Sequence, residues 1–452
     1  MKLEDFKKRS RFKLRPGAMI CLSFLIVILL GSAILMLPIS VKEGVKLNYI
    51  DSLFTTVSAV CVTGLASVDI YDTFTIFGQA IVAILIQLGG LGVTSLSVGV
   101  ILIYSGGLST AQSKLIKEAW NIDTLKGLKS IFYKVLLYNV ICETIGACLS
   151  LIVFSQDFSF GRALGTSIFH SIASFNNSGF DIIGGFRNLT PYSEDILLNL
   201  TTTFLIILGG IGFLVVIDVV KKRFNIKKLA LNSKIILSVT AVLLLGGMVA
   251  IKLSEMDNIT WLGAWFFSVS CRTAGFSTFD IYLMRDSTKS IMILLQFIGA
   301  APGSTGGGIK VTTFFILLVS VRSCISSHRT HAFKRDISED TQKKSFLIMF
   351  MAAVLVIVSA LIISAIEQNP VITVNGVNRT YGILDYIFET VSAFATVGLS
   401  TGFTPYFTVW SKIILILCMY IGRLGPMTIV TLWSKRNELS TARFVEENVS
   451  IG

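Results

Sequence analysis

The segment TVSAVCVTGLASVD (56–69) decides the fold, because three more segments of the chain share its pattern. Each has a Ser at the end of a short apolar run, a few polar residues, and then Gly followed by Leu or Phe. The other three are HSIASFNNSGFDI (170–182), FFSVSCRTAGFSTFD (266–280) and TVSAFATVGLSTG (390–402). The glycine common to the four is Gly64, Gly179, Gly275 or Gly398, at spacings of 115, 96 and 123 residues. Four ordered copies predict an internal repeat.

A second glycine feature follows each segment about 24–30 residues after the shared glycine. These features are LGGLG (88–92), LGGIG (208–212), IGAAPG (298–303) and IGRLG (421–425). The two kinds of feature alternate along the chain, which supports four copies of one structural unit.

The composition indicates a membrane protein. Of the 452 residues, 53% are hydrophobic and only 15% are charged, whereas soluble domains carry about 25% charged residues. An ordinary cytosolic enzyme and a disordered chain are both excluded. Eight apolar runs approach the roughly 20 residues that a spanning helix needs: 16–41, 73–113, 135–156, 196–217, 235–251, 290–309, 345–366 and 413–434. Four segments between them are predicted to enter the membrane and turn back: 52–68, 163–180, 259–271 and 390–411.

Basic residues predict the orientation of the chain. With the N-terminus inside, 27 of the 39 Lys and Arg residues lie in cytoplasmic segments and nine lie in outer ones. This bias follows the positive-inside rule, so both termini are predicted to be cytoplasmic and each half-span to enter from outside. The net charge of +12 therefore indicates topology and contact with anionic lipids rather than nucleic-acid binding. The predicted boundaries are an arm (1–15), repeats (16–103, 135–220, 235–321, 345–434), cytoplasmic loops (104–134, 221–234, 322–344) and a tail (435–452).

The motifs resemble one known family. VTGL (62–65), FNNSGF (175–180), RTAGF (272–276) and TVGLS (396–400), together with IGRLGP (421–426), are similar to the membrane subunits of the Ktr/Trk/HKT superfamily of potassium transporters, most closely the Ktr type. The resemblance runs from about residue 17 to the C-terminus. It implies K⁺ uptake across the cell membrane by a homodimer and control by a cytosolic ring of nucleotide-binding subunits. It also implies that the tail 442–452 packs at the dimer interface. The chain has no GxGxxG unit of its own, so no nucleotide is predicted to bind to it.

The physical chemistry of the repeated glycines agrees with this resemblance. A dehydrated K⁺ needs replacement oxygens, which rings of backbone carbonyls supply, and glycine lets the backbone approach the ion closely. The fold predicted is an all-α membrane protein with four span–pore-loop–span repeats in pseudo-fourfold symmetry around one pore. The filter is predicted to use the backbone carbonyls of Val62, Thr63, Gly64, Asn177, Ser178, Gly179, Thr273, Ala274, Gly275, Thr396, Val397 and Gly398. The alternative is that these glycines serve ordinary helix packing, which does not explain their polar flanks.

The segment GAAPGSTGGGIK (299–310) interrupts the third repeat, since five glycines and a proline within 299–308 prevent a regular helix. It resembles the intramembrane loop of the family, which blocks the path below the filter. A kinked structural helix is the alternative. A phosphate-binding loop is excluded, because Ile309 separates Gly308 from Lys310 and no strand precedes it. The predicted gate residues are Gly299, Gly303, Ser304, Thr305, Gly306, Gly307, Gly308, Lys310 and Arg423.

Three charged residues at membrane depth need partners. The resemblance implies that Arg423 faces the pore and contacts the intramembrane loop. A structural clip between helices is the alternative. Arg272 is expected to point away from the pore and to pin its loop to an acid such as Asp280 or Glu389. Glu143 is expected to pair with a neighbouring helix.

Two other classes of function compete with a carbonyl filter. A Na⁺-coupled cation symporter would bind its ion through side chains near the midplane and would show inverted repeats, whereas these repeats run in the same orientation. An intramembrane enzyme would need a nucleophile–base pair or a metal cluster, and no enzyme is predicted. K⁺ is the predicted cargo, and dependence on Na⁺ is left open.

Overall fold

The structure, a computed structural model, describes residues 16–92, 128–326, 330–368, 371–374 and 377–425. The predicted arm (1–15) and the tail (435–452) lie outside the described residues. So do the ends of repeats 1 and 4 and most of the loop 104–134.

The described residues are mainly helical, and the helices fall into four groups. The first contains α1 (Pro16–Leu35), α2 (Tyr49–Val60), the single turn α3 (Ile70–Thr73) and α4 (Ile76–Leu91). The second contains α5 (Leu128–Asp157), α6 (Phe160–Phe175), α7 (Ile196–Gly210) and α8 (Phe213–Lys221). The third contains α9 (Leu231–Glu255), α10 (Trp261–Ser270), α11 (Asp286–Phe297) and α12 (Val311–Ser326). The fourth contains α13 (Glu339–Glu367), α14 (Ile383–Phe394) and α15 (Val409–Leu424).

Two short antiparallel hairpins and five single-turn 3₁₀ helices complete the regular structure of the described residues. Strands β1 (His331–Ala332) and β2 (Arg335–Asp336) pair between α12 and α13. Strands β3 (Val371–Val374) and β4 (Val377–Thr380) pair between α13 and α14.

The first helix of each group is long and apolar enough to cross a bilayer. These four helices, α1, α5, α9 and α13, have 20, 30, 25 and 29 residues, and each contains a strongly apolar spanning window. Apolar side chains cover their outer surfaces; Leu29 and Leu30 of α1, for example, are 49% and 60% exposed. An apolar surface of this kind suits lipid, because hydrocarbon tails solvate it without cost.

The helix that follows each short helix and its glycine loop ends at the second glycine feature. These helices, α4, α7, α11 and α15, are therefore shorter than the continuous spans that the sequence predicts. Gly92, Gly212 and Gly425 adopt positive φ angles of 82°, 91° and 84°, where residues with a side chain are disfavoured. Helix α4 ends directly before Gly92, and α15 ends directly before Gly425. Helices α7 and α8 meet at an 89° bend. In the third group, α11 ends at Phe297 and the intramembrane loop (299–310) separates it from α12.

The short helices α2, α6, α10 and α14 lie inside the bundle. With 10 to 16 residues, they are too short to span a bilayer. Most of their side chains are buried, including serines and threonines. Thr56 and Thr390 satisfy their hydroxyls on their own helices, at the carbonyls of Ser52 and Tyr386.

Packing between the groups closes a circle. Helix α4 packs against α6, α7 against α10, and α11 against α14. Helix α15 of the last group packs against α2 of the first. The helix that ends at the second glycine feature of each group therefore contacts the short helix of the next group. This order brings the ends of all four short helices to the centre.

Candidate functional site

Four glycine loops follow the short helices: loop 1 (61–65), loop 2 (176–180), loop 3 (272–276) and loop 4 (395–399). All four repeat one backbone pattern, in which the shared glycine and the residue two before it have positive φ. The non-glycine positions are Val62 at 57°, Asn177 at 60°, Thr273 at 74° and Thr396 at 51°. Such angles are rare for residues with a side chain, above all for the β-branched Val and Thr. Strain of this kind persists where surrounding structure holds it in place and clusters at functional sites.

The four loops contact each other in a closed ring. A Cβ atom added to Gly64 would overlap the carbonyl oxygen of Ser178 in loop 2. One added to Gly179 would lie 2.7 Å from the carbonyl oxygen of Ala274 in loop 3. Cβ atoms added to Gly275 and Gly398 would overlap the carbonyl oxygens of Val397 and Thr63 in turn. Each glycine therefore packs against the carbonyl that precedes the glycine of the next loop, and loop 4 returns to loop 1.

A cavity of about 420 Å³ opens onto this ring and is lined by all four shared glycines. We call it the vestibule. Its wall carries both carboxylates and guanidinium groups, namely Asp69, Asp181, Asp280, Arg187 and Arg379. Arg379 pairs with Asp280 at 2.5 Å. The four glycines therefore share one water-accessible space, as four loops around a common axis require.

Serine hydroxyls hold two of the glycines from behind. The backbone N–H of Gly64 donates to Ser58 Oγ and that of Gly398 donates to Ser392 Oγ, each at 3.0 Å. Both serines stand six residues before the glycine, in the repeated tetrapeptide TVSA. The repetition of this tetrapeptide is the sequence signal for these two supporting serines.

Two further residues support the glycine loops through contacts that the sequence did not predict. Asn188 donates to the carbonyl of Gly179 at 3.1 Å and accepts from the N–H of Ser277 at 3.0 Å, so it joins loops 2 and 3. Glu389 of α14 is fully buried and accepts hydrogen bonds from Ser400, Thr401 and Thr404 behind loop 4. The bond between Asn188 and Ser277 spans 89 residues, so no local sequence pattern predicts it.

The intramembrane loop is an ordered turn that fills the gap at the break between α7 and α8. Its two ends bond to each other, since the N–H of Gly299 donates to the carbonyl of Ile309 at 2.8 Å. The N–H of Ala301 donates at 3.1 Å to the carbonyl of Gly210. Because Gly210 is the last residue of α7, its carbonyl has no partner within that helix. The carbonyl of Gly303 accepts from the N–H of Phe213 at 3.2 Å.

The centre of the intramembrane loop touches three of the four glycine loops. The side-chain amide of Asn177 lies 3.2 Å from the Thr305 hydroxyl, whichever way the amide is turned. The N–H of Gly307 donates to Thr396 Oγ1 at 2.9 Å. Gly306 lies against the Thr273 side chain so closely that a Cβ there would overlap it. The loop is therefore seated directly on the ring.

Two cationic side chains bind the same loop. Arg423 donates to the carbonyls of Thr305 and of Gly89 in α4. Lys310 donates from Nζ to the carbonyl of Gly306 at 2.7 Å. Ser304 closes the turn by donating to the carbonyl of Ala301 at 2.6 Å. The residues predicted as a gate, from Gly299 to Lys310 together with Arg423, thus lie together beside the ring.

Arg272 does not bind either expected acid. Its guanidinium donates to the carbonyls of Thr240 and Gly299, each at 3.4 Å. Asp280 is paired with Arg379, and Glu389 accepts hydrogen bonds from Ser400 and Thr401, directly after loop 4. The expectation of an acidic partner is therefore wrong, because one backbone carbonyl in α9 and one at the start of the intramembrane loop receive this charge. Glu143 accepts from Asn176 Nδ2 at 3.2 Å, and the same nitrogen donates to Gln87 at 2.7 Å.

Comparison with known proteins shows the family to which the chain belongs. The family model "TrkH: Cation transport protein" matches residues 3–441. The chain belongs to the TrkH family of cation transport proteins. It is 35% identical to Ktr system potassium uptake protein B of Bacillus subtilis over the full length of both chains. It is 34% identical to the potassium/sodium uptake protein NtpJ of Enterococcus hirae, over 99% of each chain.

The fold matches that of a solved member of the TrkH family. The crystal structure of the potassium transporter TrkH from Vibrio parahaemolyticus aligns with a TM-score of 0.71 at 16% identity, covering 94% of this chain and 87% of that one. This TrkH-family chain is therefore a multi-pass membrane protein of a cation transporter family, which is not an enzyme class.

Proposed function

We propose that this protein takes up K⁺ across the cell membrane through a filter made by the four glycine loops. The observation that carries the proposal is the closed ring, in which each shared glycine meets a carbonyl of the next loop. Oxygens presented by four loops around one axis replace the hydration shell of the ion. The filter residues are Val62, Thr63, Gly64, Asn177, Ser178, Gly179, Thr273, Ala274, Gly275, Thr396, Val397 and Gly398.

The short helices assist the ion electrostatically. Each ends at its glycine loop or one residue before it, so the negative ends of four helix dipoles point toward the ring and favour a cation there. Only one glycine per loop is common to the four repeats. We therefore propose fewer tight sites and softer K⁺/Na⁺ discrimination than in a channel with a longer carbonyl ladder.

The intramembrane loop is proposed to be the gate, in its closed position. It is seated on the ring and is held there by Arg423, whose charge also opposes a passing cation. Activation displaces the loop, and the residues that move or release are Gly299, Gly303, Ser304, Thr305, Gly306, Gly307, Gly308, Lys310 and Arg423. We propose that a cytosolic nucleotide-binding ring drives this step and that the membrane unit is a homodimer with cytoplasmic termini. This chain itself binds no nucleotide in this proposal.

Glycine-to-serine substitution tests the filter. Gly64→Ser, Gly179→Ser, Gly275→Ser and Gly398→Ser each place a Cβ against a neighbouring loop, at a φ that disfavours side chains. Uptake is measured in a bacterium that lacks its own K⁺ uptake systems, at low K⁺, with and without added Na⁺. We expect each variant to lose at least about tenfold in K⁺ uptake or in K⁺ preference, given a steric cost above about 1.4 kcal/mol. Gly246→Ser, whose Cβ meets open space, is the matched control. Four variants that behave like this control would refute the filter.

A Na⁺-coupled symporter with a side-chain ion site is the second candidate. The cluster of Glu143, Gln87 and Asn176 favours it, since it brings a carboxylate and two amides together at membrane depth. Glu143→Gln keeps the shape of the side chain and removes its charge. If the cluster binds Na⁺, this variant loses the stimulation of K⁺ uptake by Na⁺. The carbonyl filter alone predicts that the stimulation is unchanged.

A further inference from the structure

We propose that the threonine and asparagine side chains two residues before the shared glycines fasten the intramembrane loop to the filter. Release of this loop then changes ion preference as well as flow. The proposal rests on the proposed function and adds a regulatory coupling to it. It treats Thr396, Thr273 and Asn177 as positioning residues in addition to their filter carbonyls.

Loop 4 makes the most direct connection. Thr396 Oγ1 accepts from the N–H of Gly307 at 2.9 Å, and both residues are buried. The φ angle of Thr396 is +51°, so the unusual backbone of the filter aims this side chain at the loop. Loss of the acceptor would leave a buried N–H without its partner, which favours displacement of the loop.

Loops 2 and 3 are joined to the intramembrane loop through a chain of side chains. The Thr273 hydroxyl and the Thr305 hydroxyl each lie 3.2 Å from the amide of Asn177. Thr273 also packs on Gly306. Displacement of Thr305 or Gly306 therefore removes contacts that support the backbone of both loops at their positive-φ positions.

Arg272 extends the same connection to the end of the loop. It stands beside Thr273 in the chain and donates to the carbonyl of Gly299, at the loop's N-terminal end. The intramembrane loop is thus attached to loop 3 both at its end and at its centre. A shift of the loop bears on the filter backbone at two points.

Loop 1 shows what the connection requires. The matching position is Val62, whose φ of +57° lies in the same left-handed region as the φ angles of Asn177, Thr273 and Thr396. Its side chain carries no hydrogen-bonding atom. Val62 lies instead near Gly89 of α4. A valine is therefore compatible with this backbone, and Thr396→Val removes one hydrogen bond while it retains the β-branched shape.

The test compares Thr396→Val with Thr396→Ser and Thr278→Val. Thr396→Ser keeps the hydroxyl. Thr278 is a buried threonine just beyond loop 3 whose hydroxyl has no hydrogen-bond partner in the structure, so Thr278→Val removes a hydroxyl without touching the intramembrane loop. The full-length proteins are purified, their thermal unfolding is checked, and they are placed in liposomes without any cytosolic subunit. K⁺ flux and Na⁺ flux are measured separately.

We expect Thr396→Val to raise K⁺ flux about tenfold, equivalent to about 1.4 kcal/mol and within the range for a buried group that loses its partner. Its K⁺/Na⁺ flux ratio is expected to fall at least about threefold by the same relation. Thr278→Val should match the unmodified protein, and Thr396→Ser, which keeps the hydroxyl, should change both quantities less than Thr396→Val does. A higher flux with an unchanged ratio, or no change in either, overturns the coupling. Failure of the unmodified protein to restore K⁺ uptake in a bacterium that lacks its own K⁺ uptake systems would instead refute the proposed function. If Thr396→Val unfolds, Thr273→Val replaces it: it removes the bond to the Asn177 amide that connects to Thr305, and a higher K⁺ flux with a lower K⁺/Na⁺ flux ratio is expected, while an unchanged ratio overturns the coupling.

Discussion

Lys412 and Asp51 lie 361 residues apart and form a 2.7 Å ion pair that joins the last group of helices to the first. Their side chains are only 9% and 11% exposed. Lys289 and Asp385 form the matching pair between the third and fourth groups, at 3.2 Å. In both pairs the lysine stands 14 residues after one shared glycine and the aspartate 13 residues before the next. Ion pairs at matching positions thus hold two of the four junctions around the ring.

Breaking the Lys412–Asp51 pair should destabilise the protein. Asp51→Asn leaves a buried ammonium group without its counter-charge, which costs about 3–5 kcal/mol where such pairs have been broken. Thermal unfolding of the purified protein in detergent should show a clear decrease in melting temperature. Asp340→Asn is the control, because its pair with Lys344 is exposed at 73% and 53% and should contribute under about 1 kcal/mol. Equal melting temperatures for the two variants would contradict a stabilising role.

The serines behind loops 1 and 4 should influence ion preference. Ser58→Ala or Ser392→Ala removes the acceptor of a glycine N–H, which costs about 1–3 kcal/mol when the donor stays buried. We expect a K⁺/Na⁺ flux ratio reduced by at least about fivefold, from the lower end of that range. Ser268→Ala is the control, since this serine bonds to the carbonyl of Leu244 and not to a glycine loop. The role in selectivity fails if all three variants keep the original ratio.

Arg423 should restrain the gate. Arg423→Gln removes a charge and weakens the bonds to the carbonyls of Thr305 and Gly89. Bonds from charged donors contribute about 1.5–3 kcal/mol each. K⁺ flux through liposomes without cytosolic subunits should therefore increase at least about tenfold. Arg423→Lys keeps the charge but lacks the wide planar fork of donors with which the guanidinium bonds both carbonyls. Its flux should therefore lie between those of the unmodified protein and Arg423→Gln. A flux that falls in Arg423→Gln would indicate a structural clip instead.

The vestibule should give uptake a pH dependence. Burial, with a smaller effect from the charge of Asp69, raises the pKa of Asp181 from 3.8 to about 7, despite the opposing influence of Arg187. The carboxylate is charged above this pKa and becomes neutral as the pH falls through it, so the attraction for cations at the vestibule weakens on acidification. K⁺ uptake at low K⁺ should therefore decrease as external pH falls from about 8 to about 6.

Asp181→Asn should remove this pH dependence and keep uptake low at both values. Asp195→Asn is the control, because that carboxylate caps α7 and does not line the vestibule. A pH profile that is unchanged in Asp181→Asn would assign the titration to another group.

The sequence alone determined the number of repeats, the four shared glycines and the interrupted third repeat. These features are local: glycine permits positive φ wherever it stands, and a run of glycines with a proline ends any helix. For the same reason, the repeated glycines Gly92, Gly212 and Gly425 indicate from the sequence where helices end or bend, and all three have positive φ angles.

Only the tertiary structure decided which groups meet across the ring. The bonds from Arg272 to Gly299 and from Arg423 to Gly89 join residues 27 and 334 positions apart, and no sequence pattern relates such positions. The expected acid partners of Arg272 were wrong for that reason. A buried guanidinium accepts any nearby oxygen, and backbone carbonyls are present everywhere along the chain. Residue type therefore cannot identify the partner; the packing of the four groups around one centre does.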